Sequence, residues 1–238
     1  MSTLKAYIGS KVRRWLHIDQ LIDDQARLIE NESFLKTVSY VVHVGANIGQ
    51  EADFYDRFGL RVLWIEPIPS VFEELVNNTR GYARQSCRQE LCTDKDNQPH
   101  TLHIASNNGA SSSILELKEH KEIWPDVHYV DSINLQSKTL NSILNEENLD
   151  LNGLGALVMD TQGSELLVLK GALAILDRFK FIKTEVADFE SYSGCCTLDE
   201  IDKFMIENGF QRYSCSRFAR RSSGGSYYDI VYKNTRSL

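Results

Sequence analysis

The chain has 238 residues, of which 42% are hydrophobic and 25% charged, with a formal net charge of −7. This composition belongs to a soluble globular protein able to bury a substantial core. The acidic balance disfavours a large nucleic-acid footprint, which needs a broad basic surface. No apolar run is long enough to span a bilayer, and the first residues lack the apolar stretch and cleavage site of a secretory leader.

Five cysteines (Cys87, Cys92, Cys195, Cys196 and Cys215) form no Cys-x-x-Cys pair. A disulfide framework or zinc ribbon is therefore not expected, and a reducing, cytoplasmic setting is. The adjacent Cys195 and Cys196 read as plain loop residues.

Up to Phe34 the pattern is loosely helical, with Leu16, Leu21, Ile22, Leu28 and Ile29 among charges. Residues 1–36 read as a helical extension and 37–238 as one domain. Val38–Val44 is a short β-branched run suited to a strand buried on both faces. A tight turn follows at Gly45–Gly49, then a helix from Gln50 to Phe58. A second buried strand, Arg61–Ile65, ends at Glu66-Pro67. Ser70 and Glu73 have the spacing of a capping box, which predicts a helix start at Ser70.

The middle of the chain is less regular. Arg88–Cys92, Thr101–Ala105 and His128–Asn134 are candidate strands, Asn107–Ser113 is a polar loop, and Thr139–Leu144 opens a helix. Ala156–Met159 is a buried strand ending at Asp160. Ser164–Asp177 reads as one helix, with Leu166, Leu169, Leu173 and Leu176 on one face. Phe181–Val186 is a strand that contains Glu185. Thr197 and Glu200 form a second capping box, whose helix stops at Gly209. Phe210–Cys215 and Tyr227–Tyr232 read as a final strand pair, joined by a segment rich in arginine and glycine. The alternation predicts an α/β fold: a mostly parallel, Rossmann-like sheet with helices on both faces and one antiparallel strand from the last hairpin.

Ligands of such sheets bind beyond the carboxyl ends of the strands, so the residues after each strand carry the chemistry. Val44-Gly45-Ala46-Asn47-Ile48-Gly49 lies directly after a strand. Glycines there permit left-handed backbone and close approach of a ligand, and the segment suits a nucleoside cofactor. The alternative is a turn that only packs helix on strand. Glu66 ends the next strand, near the offset where dinucleotide folds place a ribose-binding acid, and Pro67 stiffens that corner. A ribose acid serves NAD and S-adenosylmethionine equally well. Two features separate them: the turn lacks Gly-x-Gly-x-x-Gly, and the chain ends in a strand pair, as methyltransferase sheets commonly do.

The stretches VVHVGANIGQE, LWIEPIP, SNNGASSSIL and MDTQGSELLVLKGA resemble, in order, the motifs of the FkbM family of methyltransferases. The resemblance runs from about Val41 to the C-terminus. It implies a class I methyltransferase fold, S-adenosylmethionine as cofactor, and O-methylation of a hydroxyl on a sugar, glycolipid or secondary metabolite. By position it implies that Gly45, Ala46, Asn47, Gly49, Glu66 and Pro67 line the cofactor, that Asp94 sits near the adenine, and that Asp160 lies near the transferring methyl. Asn107 and Ser111, Ser112 and Ser113 match a polar loop near the active cleft. One departure is His43, which stands where many methyltransferases carry an acid. It either packs in the core or faces the cofactor.

An alcohol acceptor must lose a proton, so a general base is needed. Asp160, Glu185 and Glu165 are the candidates, with Asp160 first because it directly ends a buried strand. Glu165 equally suits the dipole of a helix first turn. No histidine falls at ligand spacing with these acids, so no metal is expected. Acceptor contacts are expected from Trp124–Tyr129, from Asp188–Cys196 including Tyr192, and from Arg217–Arg221. The expected partner is a small molecule or glycan, not nucleic acid. The N-terminal helices offer either a cover for the cleft or a homo-oligomer contact. An NAD-dependent oxidoreductase and a non-catalytic nucleotide-binding scaffold remain as alternatives.

Overall fold

The computed structural model describes residues 32–147 and 154–236. The chain divides into two compact units, Met1–Thr37 and Val38–Leu238. The described part of the first holds a 3-10 helix at Ser33–Thr37; most of the predicted N-terminal helical stretch lies outside the described residues.

In the second unit the elements are β1 (Tyr40–Val44), α1 (Ala52–Arg57), β2 (Arg61–Ile65), α2 (Pro69–Thr79), β3 (Gln85–Arg88), β4 (Leu91–Thr93), β5 (Pro99–Ala105), β6 (Tyr129–Thr139) and α3 (Leu140–Glu146). They continue with β7 (Gly155–Met159), α4 (Glu165–Gly171), β8 (Phe179–Ala187), α5 (Leu198–Glu207), β9 (Phe210–Arg220) and β10 (Ser226–Asn234). Seven strands form one sheet in the order β3-β2-β1-β7-β8-β10-β9. The first five pair in parallel. β10 runs antiparallel between β8 and β9, so the last hairpin places one reversed strand in the sheet, as its sequence predicts.

Alternation along the strands assigns the two faces. Val42, Val44, Leu63, Ile65, Leu157, Met159, Ile182 and Ile230 pack with Leu140, Val168, Leu169, Ile201 and Met205 of α3, α4 and α5. The opposite face carries His43 and Trp64, whose rings stack at 5.0 Å, and Tyr55 of α1 stacks on the same Trp64 at 5.3 Å. A second, three-stranded sheet, β4-β6-β5, is inserted between β3 and β7. Its Leu102, Ile104, Ile133 and Leu135 pack on Ile68 and Val71 at the start of α2. The inserted sheet is thereby anchored beside the carboxyl ends of β1 and β2.

Four local expectations differ from what forms. The predicted strand Arg88–Cys92 divides: β3 ends at Arg88 in the main sheet, and β4 pairs with β6 in the inserted one. α2 starts at Pro69, with Ile68 at the N-cap and no side-chain cap. Proline's fixed φ and missing N–H suit the first helical position and override the Ser70–Glu73 spacing. The predicted helix Ser164–Asp177 stops at Gly171 and continues as a 3-10 turn, Leu173–Arg178. The predicted apolar face breaks there: Leu173 is exposed, while Ile175 and Leu176 are buried. β9 is longer than expected and exposed along nearly its whole length. The capping box at Thr197 and Glu200 forms in full.

Gly171 is the joint between the two sheets. A Cβ there would lie 2.2 Å from the carbonyl oxygen of Thr93 in β4. Gly171→Ala must push α4 off β4, and should cost about 1–3 kcal/mol, read as a lower midpoint of chemical denaturation at unchanged slope.

Candidate active site

A cleft of about 840 Å³, counting space open to solvent, lies over the carboxyl ends of β1, β2 and β7. Its floor is the turn after β1. Gly45 has φ +78° and Asn47 φ +45°. The Gly45 and Ala46 amides both donate to the Ile65 carbonyl, at 3.0 and 3.1 Å. A Cβ on Gly45 would sit 1.9 Å from the Asp160 carbonyl oxygen, and one on Gly49 2.7 Å from Leu75 of α2. The two glycines thus serve packing first: one lets β1 and β7 release their loops side by side, the other seats α2.

Glu66 is buried at the end of β2. Its Oε2 accepts from the Asn47 amide at 2.9 Å and its Oε1 from the Ile68 amide at 3.0 Å. One carboxylate therefore ties the β1 turn to the start of α2 while lining the cleft. Burial pushes its pKa up to about 7, against the pull of those two amides. Pro67 lines the cleft beside it.

Asp160 leaves β7 with its amide donating to Val44 at 3.0 Å. Burial and the neighbouring Glu165 carboxyl raise its pKa to about 7. Gln162 is held at φ +52°, and its side-chain amide donates to Asp160 Oδ1. The Gln162 carbonyl oxygen Oε1 accepts from the Tyr192 hydroxyl at 2.6 Å, which makes a line Tyr192–Gln162–Asp160. Asp160 and Gln162 also border a small adjoining recess, with room for about one water, beside Glu185, Ser191, Tyr192 and Tyr227.

The other two acids are placed differently. Glu165 is buried, and its Oε1 accepts from the Thr161 and Gly163 amides at 2.9 and 3.1 Å and from the Thr161 hydroxyl at 3.2 Å. It folds the Asp160–Ser164 loop. Glu185 lies inside β8, opposite Asp229 of β10. Burial, with Asp160 and Asp229 nearby, pushes its carboxyl well above the ordinary carboxylate range.

The polar loop is built rather than slack. Asn107 and Ser111 exchange two hydrogen bonds, at 2.9 and 3.1 Å. Ser112 Oγ accepts from Ala105 at 3.0 Å, and Ser113 Oγ donates to the Gln162 backbone carbonyl at 2.8 Å. Ser112 and Ser113 line the cleft; Asn107 and Ser111 support them from behind.

Four sequence expectations need correction. Gly49 does not line the cleft; it packs against Leu75 and Thr79 of α2. Asp94 does not line the cleft; Glu90, Leu91 and Cys92 do, because the chain leaves the main sheet at Arg88. Tyr192 is 1% exposed, so it offers no face for stacking and acts through its hydroxyl. Arg221 is bound to Glu119 and lies over the Phe189 ring at 4.3 Å, which fixes it in the fold. His43 is buried between Trp64 and Tyr55, whose hydroxyl lies 3.3 Å from Nδ1, and burial lowers its pKa to about 3. It is a neutral wall of the cleft. Gln162 and Glu51, both cleft-lining, were not singled out by sequence reasoning. Gln162 had a signal, since it stands two residues beyond a strand end.

The FkbM methyltransferase domain model matches residues 43–212, more than half of the chain. The chain is a member of the FkbM methyltransferase family. Solved structures give the same fold. The methyltransferase domain of METTL16 superposes at a TM-score of 0.52 and 10% identity, over 90% of this chain and 68% of that one. An uncharacterized Listeria monocytogenes protein gives 0.51 and 10%, over 89% and 68%. A Streptococcus pneumoniae protein described as a candidate tRNA (m1A22) methyltransferase gives 0.50 and 12%, over 89% and 71%. At these identities the likeness concerns the fold alone. No curated protein matches the sequence.

The family's cofactor is S-adenosylmethionine, and the cleft of this methyltransferase fits it. Among the described residues the lining includes four carboxyl side chains, Glu51, Glu66, Glu90 and Asp160, and no lysine or arginine. That charge pattern suits a sulfonium and an ammonium, and opposes the pyrophosphate of a dinucleotide. Asp160 and Glu66 also carry a pH signature. Between the ordinary carboxyl pKa values of 3.8 and 4.5 and about 7, the folded protein holds protons that the unfolded chain releases. The stability they contribute is complete at low pH and lost as pH rises through about 7, on the order of 3–4 kcal/mol per group. A Glu66→Gln, Asp160→Asn double variant should flatten stability against pH across that window in chemical denaturation.

Proposed function

We propose that this methyltransferase transfers a methyl group to a hydroxyl of a small neutral acceptor, of the sugar, glycolipid or secondary-metabolite kind. The observation that carries the reading is the Asp160 carboxyl group in the acid-lined cleft that suits the cationic cofactor, with Ser112 and Ser113 lining the same cleft. The absence of lysine and arginine from both described linings favours an uncharged acceptor over a polyphosphate. The overall charge of −7 points the same way.

When bound, S-adenosylmethionine supplies a methyl group on a sulfonium, a good leaving group, so much of the rate comes from holding the reactants in line. In this reading Glu66 accepts hydrogen bonds from the ribose hydroxyls through its remaining lone pairs, and the β1 turn and Pro67 wall the cofactor. Asp160 takes the acceptor's hydroxyl proton. A pKa near neutrality suits a base, because the group is then both deprotonated and a competent acceptor. Glu185 does not line the cofactor cleft, and Glu165 is committed to loop amides, which leaves Asp160 for this role. Gln162, aligned by Tyr192, aims the Asp160 carboxylate. Ser112 and Ser113 border the acceptor side.

Calorimetric titration with S-adenosylmethionine, with NAD alongside, tests the cofactor half. Glu66→Ala should abolish measurable binding, and NAD should not bind. Asp160→Asn tests the chemical half. It should lower kcat about 10²–10⁴-fold while leaving S-adenosylhomocysteine affinity within a few-fold of the parent. In the parent, kcat/KM should rise with pH and level off above about 7 as Asp160 loses its proton. A flat profile across that range would exclude Asp160 as base.

A further inference from the structure

The cleft holds one carboxylate that the fold does not use. Glu51 follows the β1 turn and lines the cleft with Gly45, Asn47 and Asp160. Its Oε2 is closed to solvent and accepts no hydrogen bond from the described residues. A buried acceptor left in this state is costly, and such groups are normally satisfied by a partner. Glu66 and Glu165 show the contrast, since each is paired to backbone amides.

Position along the cleft selects the partner. Glu66 and Glu90 stand at the ends of β2 and β3, the side assigned above to the nucleoside. Glu51 is in electrostatic reach of Asp160 on β7 and Lys183 on β8, towards the opposite end. The amino-acid tail of the cofactor lies on the far side of the sulfur from the adenosine. His43, standing where many methyltransferases carry an acid, is neutral and enclosed by Trp64 and Tyr55.

We infer that Glu51 binds the α-ammonium group of the S-adenosylmethionine tail, supplying from the segment after the turn the negative charge that position 43 lacks. This rests on the cofactor assignment above. A change of rotamer turns the unused Oε2 out to the cleft that Glu51 lines, where an ammonium donates to it and places its charge among carboxylates. Burial holds the Glu51 carboxyl above its usual range, partly offset by its own amide and by Lys183, and a cation at this point favours the ionised form.

The test compares ligands with and without the tail. S-Adenosylhomocysteine, its des-amino analogue and 5′-methylthioadenosine are titrated into the full chain and into Glu51→Gln, with thermal melts to match folding. The parent should prefer S-adenosylhomocysteine over the des-amino analogue. Glu51→Gln should weaken S-adenosylhomocysteine about 10- to 100-fold, as expected for a charged hydrogen bond, and leave 5′-methylthioadenosine within about twofold. Equal loss for both ligands in the variant, or no loss for either, overturns the inference while leaving the cofactor assignment intact. If the variant does not fold, the parent alone decides: undiminished affinity for the des-amino analogue overturns it. Failure of the parent to bind any of the three ligands would remove the cofactor assignment and this inference together.

Discussion

The site depends on one contact between two strand ends. The Asp160 carbonyl occupies the space where any side chain on Gly45 would stand, so β1 and β7 can release their loops shoulder to shoulder. β1 continues through α1 to β2 on one side, while β7 continues through α4 to β8 on the other. A crevice must open where these two paths diverge. Glu66 then bridges from the β2 end to the β1 turn, and Glu165 secures the loop after β7. Both edges of the cleft are therefore held by carboxylates bonded to backbone amides.

Charge organises what the backbone encloses. Collecting acids in a buried cleft raises their pKa values, and the fold tolerates this because several remain protonated at neutral pH or are bound to amides. A cationic ligand relieves the accumulated potential, whereas a phosphate would add to it. The three nearby acids are placed differently: Glu165 binds loop amides, Glu185 lies inside β8, and Asp160 lines the cleft. Environment, rather than residue type, distinguishes them.

Much of this was legible in the sequence. β-branched runs ending in Gly45, Glu66 and Asp160 marked the main strands, and the terminal hairpin placed the reversed strand correctly. The readings that failed did so where tertiary contacts decide. Residues 88–92 look like one strand, but two sheets compete for them, and so Asp94 falls outside the cleft while Glu90 lines it. The Leu and Ile spacing after Ser164 is uninterrupted, yet the contact of Gly171 with Thr93 ends the helix. Tyr192 reads as an exposed loop aromatic, and only packing against Gly163 and the His120 ring turns it inward. Glu51 closes the first of the stretches that resemble the family's motifs, but its unpaired oxygen is visible only in three dimensions.

Gln162 adopts left-handed backbone without being glycine, a conformation that usually costs on the order of 1 kcal/mol or more. Tyr192, Ser113 and Asp160 hold it there before any ligand arrives. In the proposed mechanism, some folding stability is thus converted into a preset orientation of the carboxylate, so little rearrangement of the protein remains at the moment of reaction. A looser, more stable turn at this position would leave that reorganisation to be met in the barrier itself.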